Sequence, residues 1–173
     1  DDRTFSYVLY EHGDIRLLIT QNDIRAIQLA KAALRAGIDL LVEHAGNPEV
    51  LDIRLAGAFG AHIDPVYAMV LGLVPDCPVA GVRSVGNAAG AGAVKTLLSR
   101  SQRVEMETAV RKVTKIETAT EPRFQDLFIA AMAFPHAYAP CPNLESIMTL
   151  PPRIENSGNS EGGRDGQRRR RRS

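Results

Sequence analysis

The alternation of apolar and polar positions predicts a β-hairpin near the start of the chain. Residues 5–10 and 15–19 are two runs of strand-forming side chains, and a short polar segment separates them. That segment contains Gly13, a residue type that adopts the positive φ of a tight turn at little cost. We therefore expect two antiparallel strands.

A long helix is predicted after the hairpin. Thr20 is suited to cap its first turn, and Asp23 favours the positive end of the helix dipole. Apolar residues recur at helical spacing and predict a buried stripe along one side of a helix that runs to about Glu43: Ile24, Ile27, Leu34, Ile38 and Leu41. Three polar residues fall off that stripe: Gln28, Lys31 and Arg35. The segment 45–48 contains Gly and Pro and ends the helix.

The next segment reads as a strand that ends in a glycine turn. Residues 50–56 alternate as a strand and lead directly into Gly57-Ala58-Phe59-Gly60. Asp64 and the proline after it then predict the start of an apolar helix. A strand, a glycine turn and a helix in this order often bring backbone N–H groups to a ligand, although the same order also makes ordinary connections in α/β domains.

The rest of the body continues to alternate between strands and helices. Asn87 is suited to cap a helix rich in Gly and Ala, and Lys95 in that helix is not part of a phosphate-binding P-loop, because Val94 precedes it where the motif needs Gly. Further elements are predicted as strands at 79–85 and 113–117 and as helices at 103–112 and 124–133. These elements indicate an α/β domain with a mixed sheet and flanking helices, in which the hairpin supplies the antiparallel part.

Charge is distributed unevenly along the 173 residues, although the net charge is only +1. Residues 161–173 hold six Arg against two acidic residues, whereas residues 1–160 hold 15 basic and 18 acidic residues. An acidic body argues against specific nucleic-acid binding, and charged residues interrupt every apolar run, which excludes a membrane-spanning helix. We expect a domain at 1–140 and an extended, disordered, Arg-rich tail at 141–173.

No catalytic or metal-binding constellation is visible in the sequence. Cys77 and Cys141 stand far apart, which argues against a zinc or iron–sulfur site, and reduced thiols are favoured over a disulfide between them. The four histidines are scattered and are expected to be surface or satisfied residues: His12, His44, His62 and His136. Composition and spacing alone indicate an α/β domain with one glycine turn suited to a ligand.

Four segments in order resemble one protein family. They are residues 19–31 (ITQNDIRAIQLAK), residues 55–60 (LAGAFG) with Ile63-Asp64, residues 85–92 (VGNAAGAG), and Phe124-Gln125 through Phe134-Pro135-His136. Together they resemble the C-terminal domain of the corrinoid-protein reductive activators. In that family an N-terminal [2Fe–2S] ferredoxin domain precedes an ATPase domain of the actin, sugar-kinase and heat-shock-chaperone superfamily.

The resemblance implies the function of the whole protein. Such activators are cytoplasmic and couple Mg·ATP to electron transfer that returns Co(II) corrinoid to Co(I) on a methyl-transferring protein, which is the expected partner; a homodimer is left open. This chain would be the second half of the actin-like fold, without the iron–sulfur cysteines or the first phosphate-binding hairpin. We therefore expect it to be inactive alone.

The resemblance also implies candidate nucleotide contacts. In the superfamily a glycine turn lies on the adenosine side of the cleft, which corresponds here to Gly57, Ala58, Phe59 and Gly60, with both glycines leaving room for the nucleotide. Chaperone relatives add an acid and a base three residues apart on the preceding helix, and Gln28 and Lys31 have that spacing. The alternatives are a sugar or acyl-group kinase of the same superfamily and a non-enzymatic interaction module.

Overall fold

The computed structural model describes residues 5–152. Four strands are present in this part of the chain: β1 (Ser6–His12), β2 (Ile15–Thr20), β3 (Ile53–Ala56) and β4 (Val82–Gly86). The helices in the same part are α1 (Gln21–His44), α2 (Gly57–Gly60), α3 (Pro65–Val70), α4 (Ala88–Leu98), α5 (Arg100–Val110), α6 (Phe124–Ala131) and α7 (Pro142–Glu145). A 3₁₀ turn at Val79–Gly81 leads into β4. The Arg-rich segment at 161–173 lies outside the described residues.

The strands form two small sheets. β1 and β2 make the predicted antiparallel hairpin, with Gly13 at φ +56° in its turn. β3 and β4 pair in parallel as a second two-stranded sheet. The predicted α/β class is confirmed, with the difference that parallel and antiparallel pairs lie in separate sheets and not in one mixed sheet.

Both predicted ends of α1 are confirmed. The Thr20 hydroxyl accepts a hydrogen bond from the Asp23 backbone N–H, and the Asp23 carboxylate accepts one from the Thr20 N–H at 2.8 Å. This reciprocal pair satisfies two of the donors that a helix start leaves open. At the other end the chain leaves the helix through Gly46 and Asn47, both at positive φ.

The predicted buried stripe of α1 is wrong. Ile24, Leu34 and Leu41 are exposed. The buried residues of the helix are instead Lys31, Ala32, Arg35, Ala36 and Leu40. The reason is that α6 packs against the face that carries Ala36 and Leu40, where small side chains allow a close approach. The polar residues Lys31 and Arg35 are buried because the segments after α6 and α3 supply hydrogen-bond acceptors for them.

Two apolar cores hold the described part of the chain together. The smaller one joins α1 to α6 through Ala36, Leu40 and Leu127. The larger one lies under the β3–β4 sheet and takes residues from α3, the following loop and α7: Ala68, Met69, Val74, Cys77, Val82, Cys141 and Leu144. Cys77 and Cys141 are both buried in this core. None of the helices within 5–152 is both long and apolar enough to cross a membrane.

Two predicted elements differ from the structure. Residues 113–117 form no strand, since no strand of the described chain pairs with them. Residues 142–145, placed in an extended tail by the sequence, form α7, and Leu144 is fully buried. The Asp76 carboxylate explains why a helix forms here. It accepts hydrogen bonds from the backbone N–H groups of Asn143 and Leu144, in the first turn of α7, at 2.9 and 3.0 Å.

The glycine that follows α3 generates a test of this packing. A Cβ built on Gly72, at φ +70°, would lie 1.7 Å from the Pro135 carbonyl oxygen. Gly46 provides a matched control, since it has a φ of +85° and open space around the same position. We expect Gly46→Ala to cost about 1–2 kcal/mol of unfolding free energy from backbone strain, and Gly72→Ala to cost about 1–3 kcal/mol more.

Urea unfolding followed by circular dichroism measures both free energies in the 173-residue chain. Equal losses of stability in the two variants would contradict the close contact between Gly72 and Pro135.

Candidate functional site

The carboxyl ends of the two parallel strands lie side by side. Ala56 at the end of β3 pairs with Gly86 at the end of β4, and the chain leaves these strands into α2 and toward α4. Val85 is an extra residue on β4 at this point, because the register shifts between the pairs Leu55–Ser84 and Ala56–Gly86. Ligands of open α/β sheets usually bind outside the carboxyl ends of the strands, and bulges often lie beside such sites.

Gly57 and Gly86 keep this edge open. Their φ angles are +88° and +61°. Apart from chain neighbours and, for Gly57, the backbone of α2 itself, no described heavy atom lies within 4 Å of the position that a Cβ would occupy on either residue. Gly57 and Ala58 are also exposed to solvent. A ligand could therefore approach the backbone of both strand ends closely.

Gly60 has a different environment from Gly57. A Cβ on Gly60 would lie 2.9 Å from the Leu55 carbonyl carbon and 3.1 Å from the Leu55 Cβ. Gly60 therefore allows α2 to fold back closely on β3, and the space beside it holds protein. Phe59 lies between the two in α2, and its backbone is part of the same turn.

The start of α4 borders the same edge. As predicted, Asn87 caps this helix, and its side-chain oxygen accepts a hydrogen bond from the Gly90 N–H at 2.9 Å. Further along, a Cβ on Gly92 would lie 3.6 Å from the Met106 Cε of α5. The small residues of α4 thus allow α5 to pack closely against it.

Gln28 and Lys31 contact the segment that follows α6. The Gln28 side-chain amide donates to the Met132 carbonyl at 3.2 Å. The Lys31 ammonium donates to the carbonyls of Ala133 and of Pro135, the latter at 3.0 Å, and lies 4.8 Å from the centre of the Phe134 ring. None of the hydrogen bonds found within residues 5–152 joins either side chain to the glycine turn.

A buried charge network continues along α1 from Lys31. Arg35 donates to the Asp39 carboxylate at 2.7 Å and to the Val74 carbonyl at 3.1 Å. The other Asp39 oxygen lies 3.5 Å from Nε2 of the buried His136. Burial opposes ionisation of Asp39, but the neighbouring side chains of His136 and Arg35 outweigh it and hold the pKa of Asp39 below its usual value.

His136 is buried, and only one of its two ring nitrogens has hydrogen-bond partners within residues 5–152. Its Nδ1 accepts hydrogen bonds from the backbone N–H groups of Tyr138 and Ala139, at 3.4 and 3.1 Å, whereas its Nε2 has none and faces an Asp39 oxygen at 3.5 Å. The expectation of a surface or satisfied histidine is therefore met only at Nδ1. Sequence reasoning missed that His136 lies beside the network of Lys31 and Arg35, because His136 is about a hundred positions away from them along the chain. The only signal was that Phe134-Pro135-His136 belongs to a resembling segment.

The described residues contain no group of three or more potential metal ligands among His, Cys, Asp and Glu. Two surface grooves are present away from the glycine turn. One lies between α4 and α5, and the other lies between the end of α1 and residues 114–121. Neither groove is lined by a residue of the glycine turn.

Comparisons with known proteins agree with this architecture. Residues 1–145 match a family model described as the C-terminal domain of RACo, the ASKHA domain. The chain is 42% identical over 120 residues to the corrinoid activation enzyme RamQ of Eubacterium limosum, a match that covers 68% of this chain and 20% of that protein. A solved structure of a reductive activator for corrinoid, iron–sulfur protein is similar over 77% of this chain and 22% of that one, with 31% identity and a TM-score of 0.65. The chain thus spans about a fifth of the length of these relatives.

Lys31 generates a prediction about pH and stability. Burial and, to a smaller extent, the positive charge of Arg35 lower the pKa of Lys31 to about 8. An unfolded lysine has a pKa near about 10.4, so between these values the unfolded chain binds more protons than the folded chain. The contribution of Lys31 to the free energy of unfolding is therefore constant below pH 8 and rises as the pH increases from about 8 to about 10.4.

The matched comparison is Lys31→Met, which removes this titration. We expect the wild type to gain stability relative to the variant between about pH 7.5 and about pH 9.5, by less than the limit of about 1.4 kcal/mol per pH unit for one proton. Urea unfolding at both pH values measures the difference. A stability difference that stays constant, or that changes in favour of the variant, would show that the pKa of Lys31 is not lowered in the folded protein.

Proposed function

The chain belongs to the family of RACo C-terminal ASKHA domains, and we propose that it supplies the adenosine side of an ATP site in a reductive activator of corrinoid proteins. The observation that carries this proposal is the pair of open glycines, Gly57 and Gly86, at the adjacent ends of two parallel strands. Ligands of open α/β sheets bind outside the carboxyl ends of the strands, so backbone groups at this edge would be available to a nucleotide.

The proposed contacts follow from the shape of the turn. Gly57 and Ala58 are exposed and lie at the open edge, so their backbone would face the nucleotide, with Phe59 in the same turn. Gly60 acts through packing against Leu55, which fixes the position of this turn.

Gln28 and Lys31 are the weaker part of the proposed site. Their hydrogen bonds to segment 132–135 occupy the polar atoms that would otherwise face a nucleotide. A contact with adenosine would therefore use the exposed part of Gln28 or the segment that the two residues hold in place.

The chemistry of the whole protein is proposed to be one-electron reduction. ATP bound with Mg²⁺ would supply the free energy that drives Co(II) in the corrinoid substrate to Co(I), and the electron would come from a [2Fe–2S] cluster outside this chain. The described residues would bind and orient the nucleotide. They contribute strand ends, a glycine turn and a helix start, and no catalytic side chain is assigned to them. The partner is proposed to be a corrinoid protein of a methyltransferase system. The names of both relatives support the corrinoid part of this proposal.

The test is a calorimetric titration of Mg·ATP into the complete product of the gene that encodes this chain. Gly57→Asn adds a side chain at the open edge, and Asn tolerates positive φ better than most residues. Gly46→Asn is the matched control, since it has nearly the same φ and the same open space but lies in the loop after α1. We expect Gly57→Asn to weaken ATP affinity at least about tenfold, or about 1.4 kcal/mol, and Gly46→Asn to leave it unchanged.

Two results would contradict the proposal. One is a folded wild-type protein that shows neither binding heat nor thermal stabilisation with Mg·ATP. The other is equal ATP affinity in the wild type and in a folded Gly57→Asn variant. If ATP binds as expected, the rate of ATP-dependent Co(II) corrinoid reduction, followed by absorbance, tests the redox part of the proposal.

A further inference from the structure

Two buried cations of α1 hold the chain at the end of α3. The Arg35 guanidinium is 7% exposed and donates to the carbonyl of Val74, which lies shortly after α3, at 3.1 Å. Lys31 is 1% exposed and donates to the Pro135 carbonyl at 3.0 Å, and this carbonyl packs directly against Gly72. One cation therefore holds the end of α3 directly, and the other holds it through the segment that follows α6.

The end of α3 has a defined backbone structure that these contacts can fix. The Gly72 N–H donates to the Met69 carbonyl at 2.8 Å, and the Leu73 N–H donates to the Ala68 carbonyl at 2.9 Å. This pair of hydrogen bonds, with Gly72 at φ +70°, is the Schellman ending of a helix. Because α3 has only six residues, its position is set by such tertiary contacts and not by its own helical stability.

The glycine turn lies between the β3–β4 sheet and α3. The turn forms α2, a single helical turn of four residues, and Gly57 at its start is exposed. Gly60 at its other end packs against Leu55 of β3, and residues 61–64 then lead directly into α3. Packed elements transmit displacement because protein interiors have low compressibility, so a shift of α3 would move the glycine turn.

We propose that Arg35 and Lys31 are positioning residues of the nucleotide site, an inference that rests on the proposed function. They fix the end of α3 and, through it, the backbone at Gly57. Because both side chains are buried and bonded to protein oxygens, they act on the nucleotide through the protein and not by contact. Binding groups need support of this kind, since a productive geometry must be held to within about 0.5 Å.

A direct effect of charge on the phosphates is the competing explanation. Arg35 is paired with the Asp39 carboxylate at 2.7 Å, which offsets its charge. The two explanations differ in what they predict for ATP and ADP. A charge effect would change ATP affinity more, because ATP carries more negative charge, whereas a displaced turn would weaken the binding of both nucleotides by the same factor.

The test measures Mg·ATP and Mg·ADP affinity by calorimetry in the complete product of the gene that encodes this chain. Arg35→Lys keeps the positive charge, but a single ammonium does not reproduce the fork that reaches both Asp39 and Val74. Gly72→Ala keeps every charge and displaces the Pro135 carbonyl from α3. Circular dichroism checks that each variant is folded, and if one of the two is not, the other decides the result.

Arg25→Lys and Gly46→Ala are the matched controls. Arg25 is exposed on the same helix as Arg35, and Gly46 has a positive φ like Gly72 but open space around it. We expect Arg35→Lys and Gly72→Ala to weaken ATP and ADP affinity equally, at least about threefold, and both controls to bind as the wild type does. In the corrinoid-reduction assay the KM for ATP is expected to rise with the rate at saturating ATP unchanged.

The outcomes separate this inference from the proposed function. Folded variants that lose stability but keep wild-type nucleotide affinity would show that the contacts are only structural, which overturns the inference. A larger loss for ATP than for ADP also overturns it, in favour of a direct charge effect. A wild type that binds no Mg·ATP overturns the proposed function and this inference together. Binding that is weakened by Gly57→Asn, but by neither Arg35→Lys nor Gly72→Ala, overturns this inference alone.

Discussion

The burial of two cations on α1 is the constraint on which most of the described structure depends. A buried ammonium or guanidinium is costly unless hydrogen bonds and opposite charge compensate it. Lys31 donates hydrogen bonds to carbonyls that follow α6, and Arg35 donates to the Asp39 carboxylate and to a carbonyl that follows α3. The Pro135 carbonyl that receives Lys31 also lies against Gly72, so one junction fixes α1, the end of α3 and the segment after α6. Because α3 follows the glycine turn, this junction also determines where the candidate site sits.

The sequence predicted the features that are decided within a few residues. The caps at Thr20, Asp64 and Asn87 depend on side chains that bond to backbone three or fewer positions away, and all three are present. The buried face of α1 could not be predicted in this way. Lys31 is buried and Leu34 is exposed because hydrogen-bond acceptors for Lys31 and the helix that packs against α1 lie about a hundred residues later in the chain. Apolar periodicity within α1 carries no information about these partners.

The candidate site shows the same division between local and long-range information. The sequence placed a glycine turn after β3, and α2 is found there. It could not distinguish the open Gly57 from the packed Gly60, because that difference depends on how α2 returns against Leu55. Sequence reasoning also did not predict that Gly86 lies at the same edge, because this position depends on the parallel pairing of β3 with β4. The strand predicted at 113–117 failed for the converse reason, because a strand needs a pairing partner as well as suitable residues.

α4 connects the strand edge to the groove beside α5. It begins at Ala88, two residues after Gly86, and its 11 residues end at Leu98, beside the groove that α4 forms with α5. At ~1.5 Å per residue the two surfaces are only about 16 Å apart along a continuous element. Gly92 of α4 lies against Met106 of α5, so a shift of α4 at the strand edge would carry α5 with it.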